Sequence, residues 1–307
     1  MSATSWLSKR NLWLKWQKQN KTTDGTICRP RVLYKIQKSI MIDSFARVHP
    51  NAKIGENVTI EAFAYVAGDV VIGDGCWIGP GAVLMDGTRL GKNCKVYTGA
   101  VISAVPQDLK FRGEVTTCEL GDNNTIREAV TISRGTAARG KTVVGSNNLI
   151  MTTAHVGHDC VIGSNNVLVN AVLLAGEVEI GDWVVLGGQT AVHQFCRIGS
   201  HAMTGGGSLV GKDIPPYVKA AHLPLSFVGV NFIGLRRRGF TPDKVSEIQE
   251  IFRILFQSGY AYNKACDMIE EQFAPTPERD EIVQFVRTSK RGILKPYNPN
   301  KKDEDAD

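Results

Sequence analysis

From Val48 onward the chain carries an aliphatic residue at every sixth position. The series runs Ile54, Ile60, Val66, Ile72, Ile78, Leu84, Leu90, Val96 and Ile102, then returns at Leu120, Ile126 and Ile132. It runs again from Val144 through Ile150, Val156, Ile162, Leu168, Leu174, Ile180, Leu186 and Val192 to Ile198. Glycine often follows the aliphatic residue, as at Gly73, Gly121, Gly145 and Gly163, with Asn or Asp in the next positions. A helix repeats its apolar face about every 3.6 residues and a half-buried strand about every two. A period of six fits neither and reads as one short strand plus one tight corner. Three hexads close a triangular coil of about 18 residues, and coils stack at the strand-pairing distance of roughly 4.8 Å. Each coil then buries the apolar face that its neighbour cannot bury alone. Gly, Asn and Asp are expected to supply the corner's dihedral demands, since they tolerate positive φ at little cost. A β-sandwich with accidental spacing would not hold phase over so long a run.

The beat fails twice. Residues 103–119 place Asp108 and Glu114 where core aliphatics would fall, so the segment is expected to leave the prism as a loop. Residues 133–143, with Arg134, Arg139 and Lys141, read as a second and shorter excursion. Polar loops on a rigid scaffold are where functional groups concentrate. Past residue 204 the repeat ends and Pro215-Pro216 marks a break. Thr241 with Pro242 opens a helix to about residue 256, a second spans roughly 260–273, and Thr276-Pro277 opens a third to about 289. The expected organisation is a basic leader at 1–40, poorly ordered or foreign to the fold, a parallel β-helix at 41–214, an α-helical C-terminal domain at 215–300, and a charged tail at 301–307. A helical cap also covers an open sheet edge.

Charge sharpens this division. Residues 1–40 hold nine Lys or Arg against Asp24 alone, a balance of +8, which leaves −2 of the chain's +6 for everything else. A nucleic-acid-binding fold would spread its positive charge over a groove, so no nucleic-acid partner is expected. The leader's Trp6, Trp13 and Trp16 allow a surface helix on an anionic partner or membrane as the alternative. No stretch approaches the roughly 18 apolar residues of a membrane span, and no signal-peptide pattern is seen. Seven cysteines without a CxxC pair (Cys28, Cys76, Cys94, Cys118, Cys160, Cys196 and Cys266) point to reduced core fillers and a cytoplasmic location.

Among six histidines, the stretch Thr-Thr-Ala-His155-Val-Gly-His158-Asp159-Cys160 stands out. Val156 is an inward position, so His155 and His158 flank it near a corner. One coil beyond His158 lies Gly176 and two coils beyond lies Gln194, with His193 beside it. A histidine, a glycine whose amide no side chain blocks, and a polar side chain on one ridge suit acyl transfer: His158 as general base, Gly176 N–H as oxyanion donor, Asp159 as electrostatic support if a turn brings it round. Ordinary solvated corner histidines, or a metal held by His155, His158 and Asp159, are the competing readings. Arg236-Arg237-Arg238 either grips phosphate or an acidic partner, or is a solvated face. Gly205-Gly206-Gly207 lacks the GK[ST] ending of a phosphate loop and serves close backbone approach or an open channel.

From about Met41 to Ile293 the chain resembles the UDP-N-acetylglucosamine O-acyltransferase family of lipid A biosynthesis. The likeness rests on Val105-Pro-Gln-Asp-Leu-Lys-Phe-Arg-Gly-Glu114, Ile126-Arg-Glu-Ala-Val-Thr-Ile-Ser-Arg-Gly135, His155 through Cys160, and Gly188 through Cys196. It rests also on Asp213-Ile-Pro-Pro-Tyr-Val218 and on Gly229 through Phe240. The resemblance implies a left-handed coil and a homotrimer with sites between subunits. It implies transfer of a (3R)-3-hydroxyacyl chain from acyl carrier protein to the 3-hydroxyl of UDP-N-acetylglucosamine. The carrier's phosphopantetheine holds the donor, and no cofactor or metal is expected. In that likeness His158 is the base, Asp159 its support and Gly176 the oxyanion glycine. Asp108, Lys110, His155, Gln194, Asn231 and Arg237 bind substrate, and Gly206 is the acyl-chain ruler, a glycine favouring chains longer than ten carbons. Glu177 and Ser133 stand where the family pattern has histidines, which bears on whether the sugar presents a hydroxyl or a 3-amino group. An N-acyltransferase on a 3-amino sugar nucleotide, and a non-enzymatic β-helix scaffold, are the alternatives.

Overall fold

The computed structural model describes residues 39–297. The expected basic leader and charged tail fall outside them, apart from Ser39 and Ile40. The repeat folds as expected into three sheets, of eleven, nine and eight strands among the described residues, which form the faces of a prism and are parallel throughout except for the last strand of the first. Most strands are two residues long, and each pairs with the strand one coil away. In the second face the inward ladder runs Val48, Val66, Leu84, Ile102, Ile132, Val156, Leu174, Val192 and Val210. These side chains, with their counterparts on the other two faces, form one continuous core. Burying each is worth about 1.5–3 kcal/mol.

Corner chemistry divides between two positions, which corrects one expectation. Positive φ falls three residues after the inward aliphatic, at Asn57, Asn93, Asn123, Asn147 and Asn165. Asparagine takes that conformation more readily than most residues. The glycine directly after the aliphatic keeps an ordinary φ and is needed for a different reason. A Cβ on Gly145 would lie 2.6 Å from Gly163 O, and one on Gly163 would lie 2.7 Å from Gly181 O. Coils stack so closely there that backbone meets backbone. At an adjacent corner position Asn124, Asn148 and Asn166 are buried and hand hydrogen bonds down the stack, Asn148 N–H to Asn124 Oδ1 and Asn166 N–H to Asn148 Oδ1.

Both excursions are shorter than their sequence bounds. Strand Val101–Ala104 keeps Ser103 buried, and Thr117–Leu120 re-enters with Cys118 and Leu120 facing the core, so the first loop is 105–116. Strand Thr131–Ser133 persists and Lys141–Val144 buries Thr142 and Val144, so the second is 134–140. Paired residues are 30 apart across the first loop and 24 across the second, against 18 elsewhere in this face. Both insertions are whole hexads.

The C-terminal part is not helical throughout, as the sequence reading had it. Val218–Ala221 continues the first face in parallel with Met203–Thr204, then pairs antiparallel with Ser226–Val230. Pro215-Pro216 and the loss of the six-beat hid this hairpin. Four helices follow: α1 (Phe232–Arg237), α2 (Pro242–Gln257), α3 (Tyr262–Gln272) and α4 (Pro277–Thr288). The expected caps are in place: Thr241 accepts from Lys244 N–H and Thr276 from Arg279 N–H, each with proline next. Ile248, Phe252, Ile269 and Ile282 form the core of this bundle. No helix among the described residues is long and apolar enough to cross a membrane.

Candidate active site

Register places the predicted ridge. Val156, Leu174 and Val192 stack directly, so His158, Gly176 and Gln194, each two residues further on, line one corner between the second and third faces. The same register extends the ridge to Lys212. Both excursions leave the prism at this same corner, in the two coils preceding His158.

Asp159 meets His158 because the chain turns between them. Asp159 takes φ 58°, the left-handed region, and its carboxylate Oδ2 lies 2.8 Å from His158 Nδ1. The carboxylate is fully buried. It accepts from Thr136 N–H at 3.0 Å, from the Thr136 hydroxyl at 2.6 Å and from Arg139 N–H at 3.1 Å, all on the second loop. Its own N–H donates to Thr142 Oγ1. An acceptor so surrounded by donors takes the Nδ1 proton of His158 as well. The lone pair then sits on Nε2, where the first loop brings Asp108 Oδ2 to 3.9 Å.

Gly176 supports the imidazole from below. A Cβ there would lie 2.5 Å from His158 Cε1 and nearer still to Nε2, so any other residue would displace the ring. Glu177 N–H donates to His158 O and locks the two coils together. None of the described hydrogen bonds uses the Gly176 N–H. At other corners the equivalent amide is capped by a side chain from the next coil, as Ser164 N–H is by Asp182 Oδ1. The residue in that capping place here, Gln194, instead turns its amide toward Glu177, 3.4 Å away.

The other predicted residues separate into two groups. His155 lies on the outer ladder of the second face, its Nδ1 2.7 Å from Thr131 Oγ1. Its pKa is lowered, by burial first and by His158 second. Among the described residues no group of three His, Cys, Asp or Glu side chains is placed to hold a metal ion, so His155, His158 and Asp159 do not form such a set. Lys110 donates its N–H to Asp108 Oδ1, shaping the loop, and its side chain is exposed. Asn231 caps α1, its Oδ1 accepting from Gly234 N–H and its Nδ2 donating to His201 O. That places Asn231, and the exposed Arg237 beyond it, by the corner between the third and first faces, away from His158. Gly206 lies at the remaining corner, open, with Gly188 O 3.3 Å from where its Cβ would be. Glu177 lines a cavity of about 680 Å³ on the third-face side with Arg139, Phe195 and Arg197. Ser133 is buried in the second face. Sequence reasoning missed Thr136, Arg139 and Thr142, because main-chain and hydroxyl partners of a buried acid leave no motif.

A parallel β-helix with a His–Asp pair beside an open amide has the equipment of a hexapeptide-repeat acyltransferase. Residues 69–104 match the family described as bacterial transferase hexapeptide (six repeats), and residues 213–294 that described as Udp N-acetylglucosamine O-acyltransferase; Domain 2. The acyl-[acyl-carrier-protein]--UDP-N-acetylglucosamine O-acyltransferase of Ectopseudomonas mendocina is 40% identical over 189 residues, 61% of this chain and 73% of that protein. That of Burkholderia lata is 41% identical over 195 residues, 62% of this chain and 74% of its own. A crystal structure of a UDP-N-acetylglucosamine acyltransferase from Bacteroides fragilis aligns with TM-score 0.82 at 47% identity, covering 83% of this chain and 100% of that one. The chain belongs to the UDP-N-acetylglucosamine O-acyltransferase family. With these neighbours the parallel coil is a left-handed β-helix.

Proposed function

We propose that the protein transfers a (3R)-3-hydroxyacyl chain from acyl carrier protein to the 3-hydroxyl of UDP-N-acetylglucosamine, the first step of lipid A biosynthesis. The observation that carries this reading is the His158 imidazole, tied at Nδ1 to Asp159 and presenting Nε2 beside Asp108 and over Gly176. His158 Nε2 takes the proton of the sugar hydroxyl as its oxygen attacks the thioester carbonyl. Negative charge moves to the carbonyl oxygen, where the Gly176 N–H stabilises it. Collapse of the tetrahedral intermediate expels the pantetheine thiolate, and the imidazolium returns the proton to sulfur. The balance closes without a cofactor. Asp108, Lys110, His155 and Gln194 surround this corner and bind the acceptor and donor around the reacting atoms.

The acyl chain has a path along the outside of the second face, whose outer ladder runs His155, Leu173, Ala191 and Leu209. Leu173 is 49% and Leu209 61% exposed. His158 stands at one edge of this apolar strip and Gly206 at the other, so an open glycine there admits a long chain. Asn231 and Arg237 lie at a different edge of the prism. A homotrimer resolves this separation by bringing one copy's Asn231 edge to the next copy's His158 corner, closing the strip. A cytoplasmic location fits the six buried, unpaired cysteines of the described residues.

Purified protein incubated with UDP-N-acetylglucosamine and 3-hydroxyacyl carriers of graded length tests this by mass spectrometry. The expected product is the 3-O-acyl sugar nucleotide. Product from a 3-amino sugar nucleotide alone, or none from any pair, overturns the reading.

A further inference from the structure

The second excursion has no part in the reaction as written, yet it contributes four of the hydrogen bonds that surround Asp159. Resting on the acyl-transfer reading, we propose that Thr136 is the positioning residue of the catalytic pair, and that the 134–140 loop exists to orient Asp159 and, through it, the protonation pattern of His158. Thr136 acts twice on one carboxylate. Its N–H lies 3.0 and 3.1 Å from the two oxygens, and its hydroxyl 2.6 Å from Oδ2. The direction of that hydroxyl hydrogen is set by Ala138 N–H, which donates to Thr136 Oγ1 at 3.2 Å and leaves the hydroxyl to donate to Asp159. Arg139 N–H completes the set on Oδ1.

The loop is itself pinned. Gly140 N–H donates to Thr136 O, Gly135 N–H to Thr117 O, and the buried Thr116 hydroxyl to Gly135 O at 2.6 Å. Thr116 ends the first excursion and Gly135 stands at the start of the second, so the loop bearing Asp108 and the loop bearing Thr136 are joined where the first rejoins the prism and the second leaves it. One loop reaches the Nε2 side of the imidazole and the other governs the Nδ1 side. Without the Thr136 hydroxyl, Asp159 Oδ2 loses its shortest donor, and the remaining main-chain donors, which favour Oδ1, hold the carboxylate against Nδ1 less firmly. The ring then populates the tautomer with its proton on Nε2, which cannot take a proton from the acceptor.

The test uses the full chain in three variants. Thr136→Val keeps the side-chain shape and backbone N–H while removing the hydroxyl, and Thr136→Ser restores it. Nitrogen-15 histidine spectra without substrate, with His158 assigned from a His158→Gln spectrum, read the tautomer directly. The wild type and the serine variant should show the proton on Nδ1, and the valine variant a mixture. With both substrates the valine variant should lose about tenfold in kcat with KM within about twofold, and serine should recover most of it. If valine impairs folding, Thr136→Ala serves in its place. A wild-type tautomer in the hydroxyl-free variant, a rise in KM at unchanged kcat, or loss of folding in both hydroxyl-free variants overturns the proposal. The tautomer arm needs no turnover, so failure of the acyl-transfer reading would be seen separately.

Discussion

A side chain's role in this corner follows from what is stacked above and below it. His158 rests on a glycine and faces a carboxylate at each ring nitrogen. His158→Ala should therefore fold and assemble normally yet lose nearly all turnover, since general-base catalysis contributes about 10²–10⁴-fold. More than a tenth of the wild-type rate would remove it as the base. A Cβ at Gly206 would meet only the Gly188 backbone, so Gly206→Leu should shift product length toward shorter acyl chains, read by mass spectrometry; unchanged chain preference would separate Gly206 from the acyl path. His201 makes a different prediction. It is stacked between Trp183 and Tyr217, edge-on to Phe240, with Arg238 3.3 Å from its Nδ1. Burial, then the Arg238 charge, pushes its pKa from 6.5 down to about 4. Below pH 6.5 the unfolded chain gains a proton here that the folded chain does not take up until about pH 4. Stability at this site is thus complete above pH 6.5 and lost as pH falls across that window. His201→Phe keeps a ring in the stack and should flatten the unfolding free energy against pH there; an unchanged slope would place the dependence elsewhere.

At the scale of the element, the glycines that follow many of the inward aliphatics carry the weight that helix caps have elsewhere. Gly163→Ala should destabilise by about 1–3 kcal/mol in denaturant unfolding, although its φ is ordinary, because overpacking rather than strain is the cause. A neutral result would mean the coils can spread. This is also where the sequence was most and least legible. Hexads revealed one inward position per hexad from Val48 to Ile198, because a core that repeats must repeat its side chains; the second, two residues earlier and held by Val58, Ala64, Val70 and Ala82 among others, is equally buried and went unread. They also placed His158, Gly176 and Gln194 on one ridge, since stacking is a count of residues. The cage around Asp159 was invisible, being built from main-chain N–H groups that any sequence possesses. The Val218–Val230 hairpin was missed for a related reason: antiparallel pairing with a register shift has no period to read.

For the whole molecule, separate functions occupy separate edges. One corner holds His158, another Asn231, the third Gly206, and the outer ladder of the second face joins two of them. The third face is occupied differently, by ion pairs such as Arg139–Glu179 at 2.5 Å and Lys141–Glu119 at 3.0 Å. The first face instead presents Leu149, Val167, Val185 and Met203 outward. The outer ladders of the first and second faces are thus mainly apolar in these coils, while the third face carries the ion pairs and meets α4 through Arg197, which lies over the Phe285 ring.

Each hexad on the prism turns the chain by one face, while the two excursions add residues without turning it, so the number of prism hexads between two groups sets the angle between them. Excising residues 55–72 removes one full revolution, brings Ile54 onto Gly73, and should give a shorter but active enzyme. Excising a single hexad between Gln194 and Asn231 should still give a folded coil, but with the Asn231 edge rotated by one face relative to His158. That protein should bind its partners in the wrong compass direction and yield no acylated product. Equal activity of the two deletions would mean that angle, and with it the sharing of sites between copies, is not what the coil controls.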